Sequence, residues 1–493
     1  MATSEFSPDS ESNKSAKPVT LPKVNVFTMF RLGLFQMGLG IMSVLTLGVL
    51  NRIMIKELAI PATLVAGTIA MHQLVAPSRL WFGQRSDAKP FLNYHRTGYV
   101  WLGTALFAIA AFLAVQVTWQ LGASFYNAGW TSQTYGWIAL LAGIFAFYGL
   151  ALSSSSTPFA ALLVDVSDED NRSKLVGVVW SMLMVGIVIG AITSSKLLPA
   201  ATTCQEAAVG TVSLYSQPQQ LAALQNSINR LFLILPGVVF GLAVLATAGV
   251  EKKYSRYNIR STAVEREDQI TLKKALKVLT ASRQTGLFFT FLLVMTISLF
   301  MQEAVMEPYG GEVFGMCVSE TTKLNAFWGT GTLIGISSTG FLIVPRLGKQ
   351  KTAMLGCLTV AFSISFIILS GFTANQKFLQ GALLLFGLTS GITTTGALSL
   401  MLDLTAAETA GTFIGAWGLA QAMARALATV SGGAVLDVGK YLFAQKAMAY
   451  SLVFGLQALG ILLAIWFLTR VNVQEFQINA QKAIASILEN ELD

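Results

Sequence analysis

Residues 251–284 read EKKYSRYNIRSTAVEREDQITLKKALKVLTASRQ, the most charged segment of the chain. Long apolar runs flank this segment on both sides. Its end, Ile270 to Leu279, alternates apolar residues with lysines at helical spacing, which predicts an amphipathic helix lying on a membrane surface. The segment is therefore a linker between two apolar halves.

Six apolar runs long enough to cross a membrane precede the linker, and six follow it. These runs, called spans 1 to 12, cover residues 28–52, 61–83, 97–118, 135–158, 174–197, 229–249, 286–307, 322–345, 351–371, 379–402, 410–436 and 447–469. They predict an all-α membrane protein with twelve transmembrane helices in two six-helix bundles. The predicted divisions are a disordered cytoplasmic tail (1–24), the first bundle (25–250), a cytoplasmic linker (251–285), the second bundle (286–470) and a cytoplasmic tail (471–493).

The composition agrees with a membrane protein, because 54% of the 493 residues are hydrophobic and only 12% are charged. A soluble chain carries about a quarter of its residues as charged ones. A soluble enzyme, a disordered protein and a secreted disulfide scaffold are therefore excluded. The three cysteines form no CxxC and no metal-ligand spacing. The chain also contains no Walker-type phosphate loop, HExxH or GxSxG motif, which predicts a non-enzyme without a nucleotide.

The basic residues predict the orientation of the chain in the membrane. With the N-terminus inside, about three quarters of the 33 Lys and Arg residues fall on the inner side, as the positive-inside rule requires. Both termini are therefore predicted to be cytoplasmic. The net charge of +8 is explained by this bias, so nucleic acid is not expected as a partner.

The two halves share a spaced pair of residues at equivalent places. Asp165 is followed by Gly177 twelve residues later, after span 4, and Asp403 is followed by Gly415 at the same distance, after span 10. A spacing kept across two helix ends predicts duplicated halves, related by pseudo-symmetry. Repeats of this kind place a central cavity at their interface, near the bilayer midplane.

The segment Trp81-Phe-Gly-Gln-Arg-Ser-Asp87 closes span 2 and resembles the loop 2–3 signature of the major facilitator superfamily. In that signature a glycine lets two helices approach, and Asp and Arg form a latch at the inner face. Asp87 is also expected to face the N-terminus of span 11. The alternative is a set of ordinary loop charges at a membrane surface. The predicted latch consists of Gly83, Arg85, Asp87, Asp165, Arg172 and Asp403.

Two longer strings lie at the predicted outer ends of spans 1 and 7. They read Gly48-Val-Leu-Asn-Arg-Ile-Met-Ile-Lys-Glu-Leu58 and Gln302-Glu-Ala-Val-Met-Glu-Pro-Tyr-Gly-Gly-Glu-Val-Phe-Gly315. Together with Arg85-Ser-Asp87 they resemble the PucC/LhaA group, the bacteriochlorophyll-delivery branch of the major facilitator superfamily. The resemblance covers about residues 25–470. The residues of these strings that we single out are Asn51, Arg52, Pro308, Tyr309, Gly310, Gly311 and Glu312.

The resemblance implies a non-enzymatic factor that assists assembly of light-harvesting or photosystem complexes. It implies binding or delivery of chlorophyll or bacteriochlorophyll, or chaperoning of pigment-protein subunits. The implied partners are light-harvesting or photosystem subunits and chlorophyll-handling proteins, beside the lipid bilayer. The implied location is a photosynthetic membrane (thylakoid or intracytoplasmic) or the plasma membrane. The alternative is a proton-coupled secondary transporter of a small organic solute, which requires more polar groups at midplane depth than this chain offers.

Glu303 and Glu307 are four residues apart, so they share one face of a helix. Such carboxylates could take up protons, hold a ligand or pair with basic residues. An ion pair between Glu303 and Arg52 is the structural alternative, because the two halves carry opposite charges at these matching positions. Pro308-Tyr-Gly-Gly311 is expected to stop the helix and form a tight turn.

His72 and Arg425 are costly polar groups within predicted spans. His72 lies near the centre of span 2 and could ligate the magnesium of a chlorophyll or relay protons. Its structural alternative is a hydrogen bond to a neighbouring helix. Arg425 lies in span 11 with no acidic residue within one turn, so it should face the bundle, where a partner from another helix, cavity water or a substrate anion could bind it. Asn325 and the run Ser153–Thr157 complete the short set of polar groups at this depth.

Overall fold

The computed structural model describes residues 24–167, 169–198, 218–255, 283–403 and 410–472. The predicted tails and most of the linker, including the amphipathic helix at Ile270–Leu279, lie outside these ranges. The described residues are helical, and their β-structure consists of one isolated bridge between Phe91 and Tyr94.

The first half begins with a helix that changes type along its length. Helix α1 (Val26–Ser43) continues in two π-helical segments, Val44–Leu50 and Ile53–Glu57. Span 2 is divided into α2 (Ala62–Leu74) and α3 (Ser78–Ala88). The remaining helices of this half are α4 (Thr97–Ala128), α5 (Ser132–Val166), α6 (Glu169–Leu197), α7 (Pro218–Thr247) and α8 (Val250–Tyr254).

The second half begins with a broken helix. Helix α9 (Arg283–Phe300) passes into a 3-10 turn (Met301–Ala304) and then into α10 (Met306–Val313). The remaining helices are α11 (Val318–Ser338) with a π-helical end (Thr339–Ile343), α12 (Val344–Leu347), α13 (Lys349–Thr373), α14 (Gln376–Asp403), α15 (Ala410–Leu442) and α16 (Lys446–Thr469).

Of the described helical segments, 10 are long and apolar enough to cross a membrane, and they correspond to every predicted span except 2 and 8. Span 2 falls short because its helix is divided at Pro77, whose ring and missing N–H do not fit a helix interior. Span 8 falls short because α11 begins with the polar run Ser319-Glu-Thr-Thr-Lys323. Both segments are helical and pack among the others, so the twelve-helix architecture is confirmed.

The packing of the first half is repeated in the second. Helix α1 packs on α6 and α7, and α4 packs on α5 and α7. In the same way α9 packs on α15 and α16, and α13 packs on α14 and α16. Two matching contacts join the halves, α2 with α15 and α6 with α11. This equivalence confirms the pseudo-symmetric pair of bundles.

Glycines bring two helix pairs, one in each half, into backbone contact. A Cβ built on Gly186 would lie 2.1 Å from the carbonyl oxygen of Met37, across the α6–α1 contact. A Cβ on Gly331 would lie 2.1 Å from the carbonyl oxygen of Leu384, across the α11–α14 contact. Any side chain at these glycines would push the helices apart, so the glycines set the close packing within each half.

Candidate functional site

A cavity of about 200 Å³ lies where the two halves meet. Its wall comes from α1 with its π-helical extension and α6 of the first half, and from the broken span 7, α11, α14 and α15 of the second. Most of the lining side chains are apolar. The charged ones are Glu303, Glu307 and Arg425, three of the four residues that the sequence offered as substrate or pigment candidates.

The break in span 7 places the two glutamates in the cavity wall. Glu303 belongs to the 3-10 turn, and Glu307 belongs to the first turn of α10. The expectation that Pro308 to Gly311 stop the helix is wrong, because α10 runs through them to Val313. Proline is tolerated here because the first turn of a helix leaves N–H groups unpaired. The chain turns instead at Gly315, which has a φ of 66°.

Glu307 is held between the two halves. It is 4% exposed, and its Oε1 accepts a hydrogen bond of 2.5 Å from Asn325 Nδ2 of α11. A Cβ built on Gly48 of the first half would lie 2.1 Å from the same oxygen. Glycine is therefore required at position 48 for this carboxylate to reach its place. Glu307 Oε2 has no hydrogen-bond partner among the described residues.

Arg425 faces the bundle interior, as predicted. Its guanidinium carbon lies 3.8 Å from the centre of the Phe300 ring, at the end of α9, in a cation–π contact. Arg425 and Glu303 line the same cavity. Within the described residues, Arg425 Nε and Glu303 Oε2 both lack a hydrogen-bond partner. The charge of Arg425 is thus stabilised by an aromatic ring.

Arg52 closes the interface at one end of the bundle, called here the Arg52 end. It is 1% exposed, and Nη1 donates to Thr321 Oγ1 (2.5 Å) and to the carbonyl of Cys317 (3.2 Å). Nη2 donates to the carbonyl of Met316 (2.8 Å) and to Glu57 Oε1 (3.3 Å). The predicted pair of Arg52 with Glu303 is therefore corrected, since Glu57 is the carboxylate that Arg52 binds. We call these five residues the Arg52 clasp.

Asn51 and Asp437 join the halves beside the clasp. Asn51 Nδ2 donates to the carbonyl of Ala304, 2.7 Å away. Asp437 of α15 accepts from the backbone N–H groups of Ala62 (3.0 Å) and Thr63 (2.7 Å) and from Thr63 Oγ1 (2.6 Å). A carboxylate from the second half thus caps the first turn of α2 in the first half, where unpaired N–H groups and the helix dipole favour an anion.

The remaining residues of the span 7 string pack the Arg52 end. Tyr309 is fully buried, and its hydroxyl donates to the carbonyl of Ile367 (2.9 Å). A Cβ on Gly310 would lie 2.8 Å from Thr321 Cγ2. A Cβ on Gly311 would lie 2.7 Å from Lys56 Cδ, so these glycines allow close packing and do not form a turn. Glu312 Oε1 pairs with Lys440 Nζ at 2.8 Å.

Asp165 marks the other end of the bundle, the Asp165 end, and it binds an arginine that the latch prediction did not name. Arg96 Nε donates to Asp165 Oδ2 at 2.9 Å, and Arg96 Nη1 donates to Ser86 Oγ at 2.7 Å. Glu251 accepts from the backbone N–H groups of His95 (2.7 Å) and Thr97 (2.7 Å) and so caps α4. This buried cluster ties α3, α4, α5 and α8 together.

The structure describes the surroundings of two of the other predicted latch residues, Arg85 and Gly83. Arg85 is exposed, and its guanidinium carbon lies 5.7 Å from the Trp81 ring centre. Arg96, which the prediction did not include, binds Asp165. Gly83 faces α5, with Thr157 Cγ2 at 3.6 Å from a built Cβ. The side chains of Asp87, Arg172 and Asp403 lie outside what the structure describes, and their roles stay predictions.

His72 lies in the last turn of α2 rather than mid-helix, because α2 ends at Leu74. Its Nδ1 is 2.5 Å from the carbonyl of Ile69 in its own helix, and its ring meets Tyr148 edge-on at 6.1 Å. A contact with a carbonyl requires the proton on Nδ1, which leaves Nε2 as the acceptor in the neutral ring. His72 is not part of the described cavity lining. The expected bond to a neighbouring helix is replaced by a bond within α2.

The sequence analysis did not predict three contacts at the two ends of the bundle: the ion pair of Arg96 with Asp165, the cap of α4 by Glu251, and the cap of α2 by Asp437. Their partners are separated by 69 residues or more, so no local spacing connects them. The one available signal was the position of these charges, each close to the end of an apolar run. Asn325 was noted as a polar group at depth, but its bond to Glu307 was not foreseen.

Solved structures of membrane transporters share this architecture. The nucleoside transporter NupG matches with a TM-score of 0.61 at 12% identity, over 90% of this chain and 98% of that one. A bacterial homologue of the iron transporter ferroportin, in an inward-facing state, matches with a TM-score of 0.59 at 13% identity, over 91% of this chain and 99% of that one. At such identities the likeness concerns the fold alone. The chain is a multi-pass membrane protein with the major facilitator fold.

Within that fold class, the chain belongs to the PUCC protein family, which matches residues 49–476. A relative from Rhodobacter capsulatus, the bacteriochlorophyll synthase 44.5 kDa chain, is 30% identical over 453 residues, which are 90% of this chain and 95% of the relative. Protein PucC from Rhodobacter capsulatus is 29% identical over 463 residues, which are 91% of this chain and 93% of the relative. The family resemblance inferred from the outer strings is confirmed.

Proposed function

We propose that the protein is a non-enzymatic membrane factor that assists assembly of light-harvesting or photosystem complexes in a photosynthetic membrane. It binds or delivers chlorophyll-type pigment or chaperones the pigment-protein subunits. The observation that carries this proposal is the family match, which extends over 49–476 and includes relatives named PucC and bacteriochlorophyll synthase chain.

The size of the interface cavity bears on where a pigment would bind. Pockets that enclose drug-sized ligands have volumes of about 300–1,000 Å³, whereas this cavity has about 200 Å³. A chlorin ring with its isoprenoid tail is larger than such a ligand and does not fit inside. We therefore assign pigment or subunit recognition to a place outside this cavity.

His72 is the residue whose chemistry suits the magnesium of a chlorophyll. Its Nδ1 is engaged by the Ile69 carbonyl at 2.5 Å, which orients the ring and leaves Nε2 for a metal. Histidine ligands in metal sites commonly have this arrangement, with the second nitrogen bonded to a backbone carbonyl. The pigment would supply light absorption, and His72 would supply one ligand nitrogen.

Purification from native membranes tests the proposed function. The tagged full-length protein is isolated in mild detergent, its absorption spectrum is recorded, and the co-purifying proteins are identified. We expect chlorophyll-type absorption bands, or light-harvesting or photosystem subunits, in the preparation. A colourless preparation without such partners would contradict the proposal.

Replacement of His72 by Phe tests the ligand assignment separately. Phe keeps an aromatic ring against Tyr148 but has no nitrogen, so pigment bound through Nε2 should be lost. We expect a lower ratio of pigment to protein in His72→Phe than in His95→Phe, the matched change at the other histidine of the chain. Equal pigment content in both variants would remove His72 as a ligand.

The charged cavity between the halves favours a second candidate function, secondary transport of a small organic solute. The cavity lies beneath the Arg52 clasp, at the interface of two repeats, as substrate sites do in secondary transporters. Uptake of radiolabelled solutes into liposomes that contain the purified protein would favour this candidate, most strongly if it responds to an imposed pH gradient. Unchanged uptake relative to empty liposomes would count against it.

A further inference from the structure

Four buried polar atoms of the interface cavity have no hydrogen-bond partner among the described residues. Two are acceptors, Glu303 Oε2 and Glu307 Oε2. Two are donors, Trp328 Nε1 and Arg425 Nε. All four residues line the same cavity. A buried polar atom without a partner costs the free energy of its desolvation, so native proteins rarely keep several at one place unless a ligand or water binds there.

The acceptors at this site are carboxyl oxygens, and that of Glu307 is held in place. Glu307 is 4% exposed, and Asn325 occupies its Oε1 at 2.5 Å, so Oε2 remains for a donor from the cavity. Glu303 lies in the adjacent 3-10 turn. Two carboxyl groups in the wall of one cavity suit a group with several N–H donors and a positive charge, which an ammonium provides.

The donors at this site are the guanidinium of Arg425 and the neutral indole N–H of Trp328. The Arg425 guanidinium lies 3.8 Å from the Phe300 ring centre, which restricts its orientation. Its planar fork matches a carboxylate in two parallel hydrogen bonds. The indole N–H of Trp328 is a further donor to such an anion.

We propose that this cavity binds a small zwitterion of the amino-acid class, with a primary ammonium on Glu303 and Glu307 and a carboxylate on Arg425 and Trp328. The volume of about 200 Å³ restricts the ligand to a small molecule, since larger organic ligands need about 300 Å³ or more. The proposal concerns binding and does not depend on whether the protein handles pigment.

Calorimetric titration of the purified full-length protein in detergent tests the proposal. The probes are zwitterions of increasing length (glycine, β-alanine, 4-aminobutyrate and 6-aminohexanoate), because they vary the separation of the two charges. Butylammonium and butyrate are the matched ligands with one charge each. We expect at least one zwitterion to bind. Both single-charge ligands should bind at least about 10-fold more weakly than this zwitterion, since each lacks a set of charge-assisted hydrogen bonds.

Two outcomes of this titration would overturn the proposal. One is the absence of measurable binding for every zwitterion at millimolar concentration. The other is binding of butylammonium or butyrate as tight as that of the best zwitterion, because it would show that one end of the ligand is not recognised.

A pair of variants in α10 tests whether the zwitterion binds in the cavity. Glu307→Gln keeps the shape of the side chain and removes its charge, and Glu312→Gln does the same outside the cavity, in the pair with Lys440. We expect Glu307→Gln to weaken zwitterion binding by about 10- to 100-fold and Glu312→Gln to leave it within about twofold. If Glu307→Gln does not fold, Arg425→Lys keeps the charge without the fork and should weaken binding likewise. Wild-type affinity in a folded cavity variant would refute the assignment.

Discussion

Arg52 shows how this protein accommodates a buried charge. Its four hydrogen bonds reach one carboxylate, two backbone carbonyls and one hydroxyl, of which only Glu57 belongs to the same half of the molecule. Burial of a charge is tolerated only where such partners replace water. The side chain therefore acts as a link between the halves at the Arg52 end.

Removal of this link should destabilise the protein. Arg52→Gln leaves Glu57 and the Met316 and Cys317 carbonyls without their donor, and loss of one partner of a buried pair typically costs about 3–5 kcal/mol. We expect a clearly lower unfolding midpoint in detergent. Lys440→Gln is the control, because Lys440 is 34% exposed and such a pair is worth about 0–1 kcal/mol. Equal midpoints for the two variants would contradict the role of the clasp.

The choice of cation at Asp165 is also made at the scale of single residues. Arg85 belongs to the predicted latch, yet its exposed guanidinium lies against the Trp81 ring. Arg96 is 2% exposed and reaches Asp165 and Ser86 at once. A fully buried guanidinium needs several acceptors, and Ser86 of α3 and Asp165 of α5 supply them beside the start of α4.

Helix breaks, rather than continuous helices, form the candidate site. The π-helical part of span 1 presents Gly48, and the 3-10 turn and α10 of span 7 present Glu303 and Glu307. Departures from α-helical geometry inside a long helix re-aim side chains and are frequent at functional sites. In membrane proteins such irregular backbone is tolerated where it is buried or lines a cavity.

At the level of helices, loss of the Asp437 cap should loosen the contact between the two halves. Asp437→Ala removes the acceptor of two backbone N–H groups, which should cost about 0.5–2 kcal/mol and loosen α2 from α15. In a cysteine-free background, a cysteine at position 60, where Ile60 is 3% exposed, should then react faster with maleimide.

Asn375→Ala is the matched control for this cap. Asn375 accepts from the N–H groups of Lys377 (3.0 Å) and Phe378 (3.2 Å) within its own half, at the same end of the bundle. Its loss removes a cap without touching the interface, so the reactivity at position 60 should not change. A similar increase in both variants would show that Asp437 does not join the halves.

At the scale of the whole molecule, the Arg52 end is closed by contacts from both halves, and the cavity lies beneath it. The clasp, the Asn51 bond to Ala304 and the Asp437 cap all cross the interface there. Opening this end would require the loss of all of these bonds together. The equivalent inter-half contacts of α2 with α15 and of α6 with α11 are the surfaces along which the halves would move.

The orientation of the bundle is a further prediction at this scale. The excess of Lys and Arg predicts that the Asp165 end lies in the cytoplasm. In a variant without the native cysteines, Trp130→Cys in the α4–α5 connection should react with an impermeant maleimide on intact cells. Lys89→Cys in the α3–α4 connection should react only after permeabilisation. The reverse pattern would invert the assigned topology.

The helical segments, the division into equivalent halves and the family could be inferred from the order of residues alone. Apolar run length is matched to bilayer thickness, and the Asp–Gly spacing and the outer strings are contiguous patterns. The same reasoning located Glu303, Glu307 and Arg425 as unusual groups, because charge within an apolar run is costly wherever the run packs. It could not show that they share one cavity.

The pairing of charges depended on how the helices pack. Arg52 binds Glu57 and the Met316 and Cys317 carbonyls rather than Glu303, and Asp165 binds Arg96 across 69 residues of sequence. Helix breaks at Pro77 and at Met301–Ala304 rotate the following side chains away from the positions that an unbroken helix would give. A hydrogen bond requires contact within about 3 Å, and distances of that kind between remote helices exist only once the two bundles have folded together.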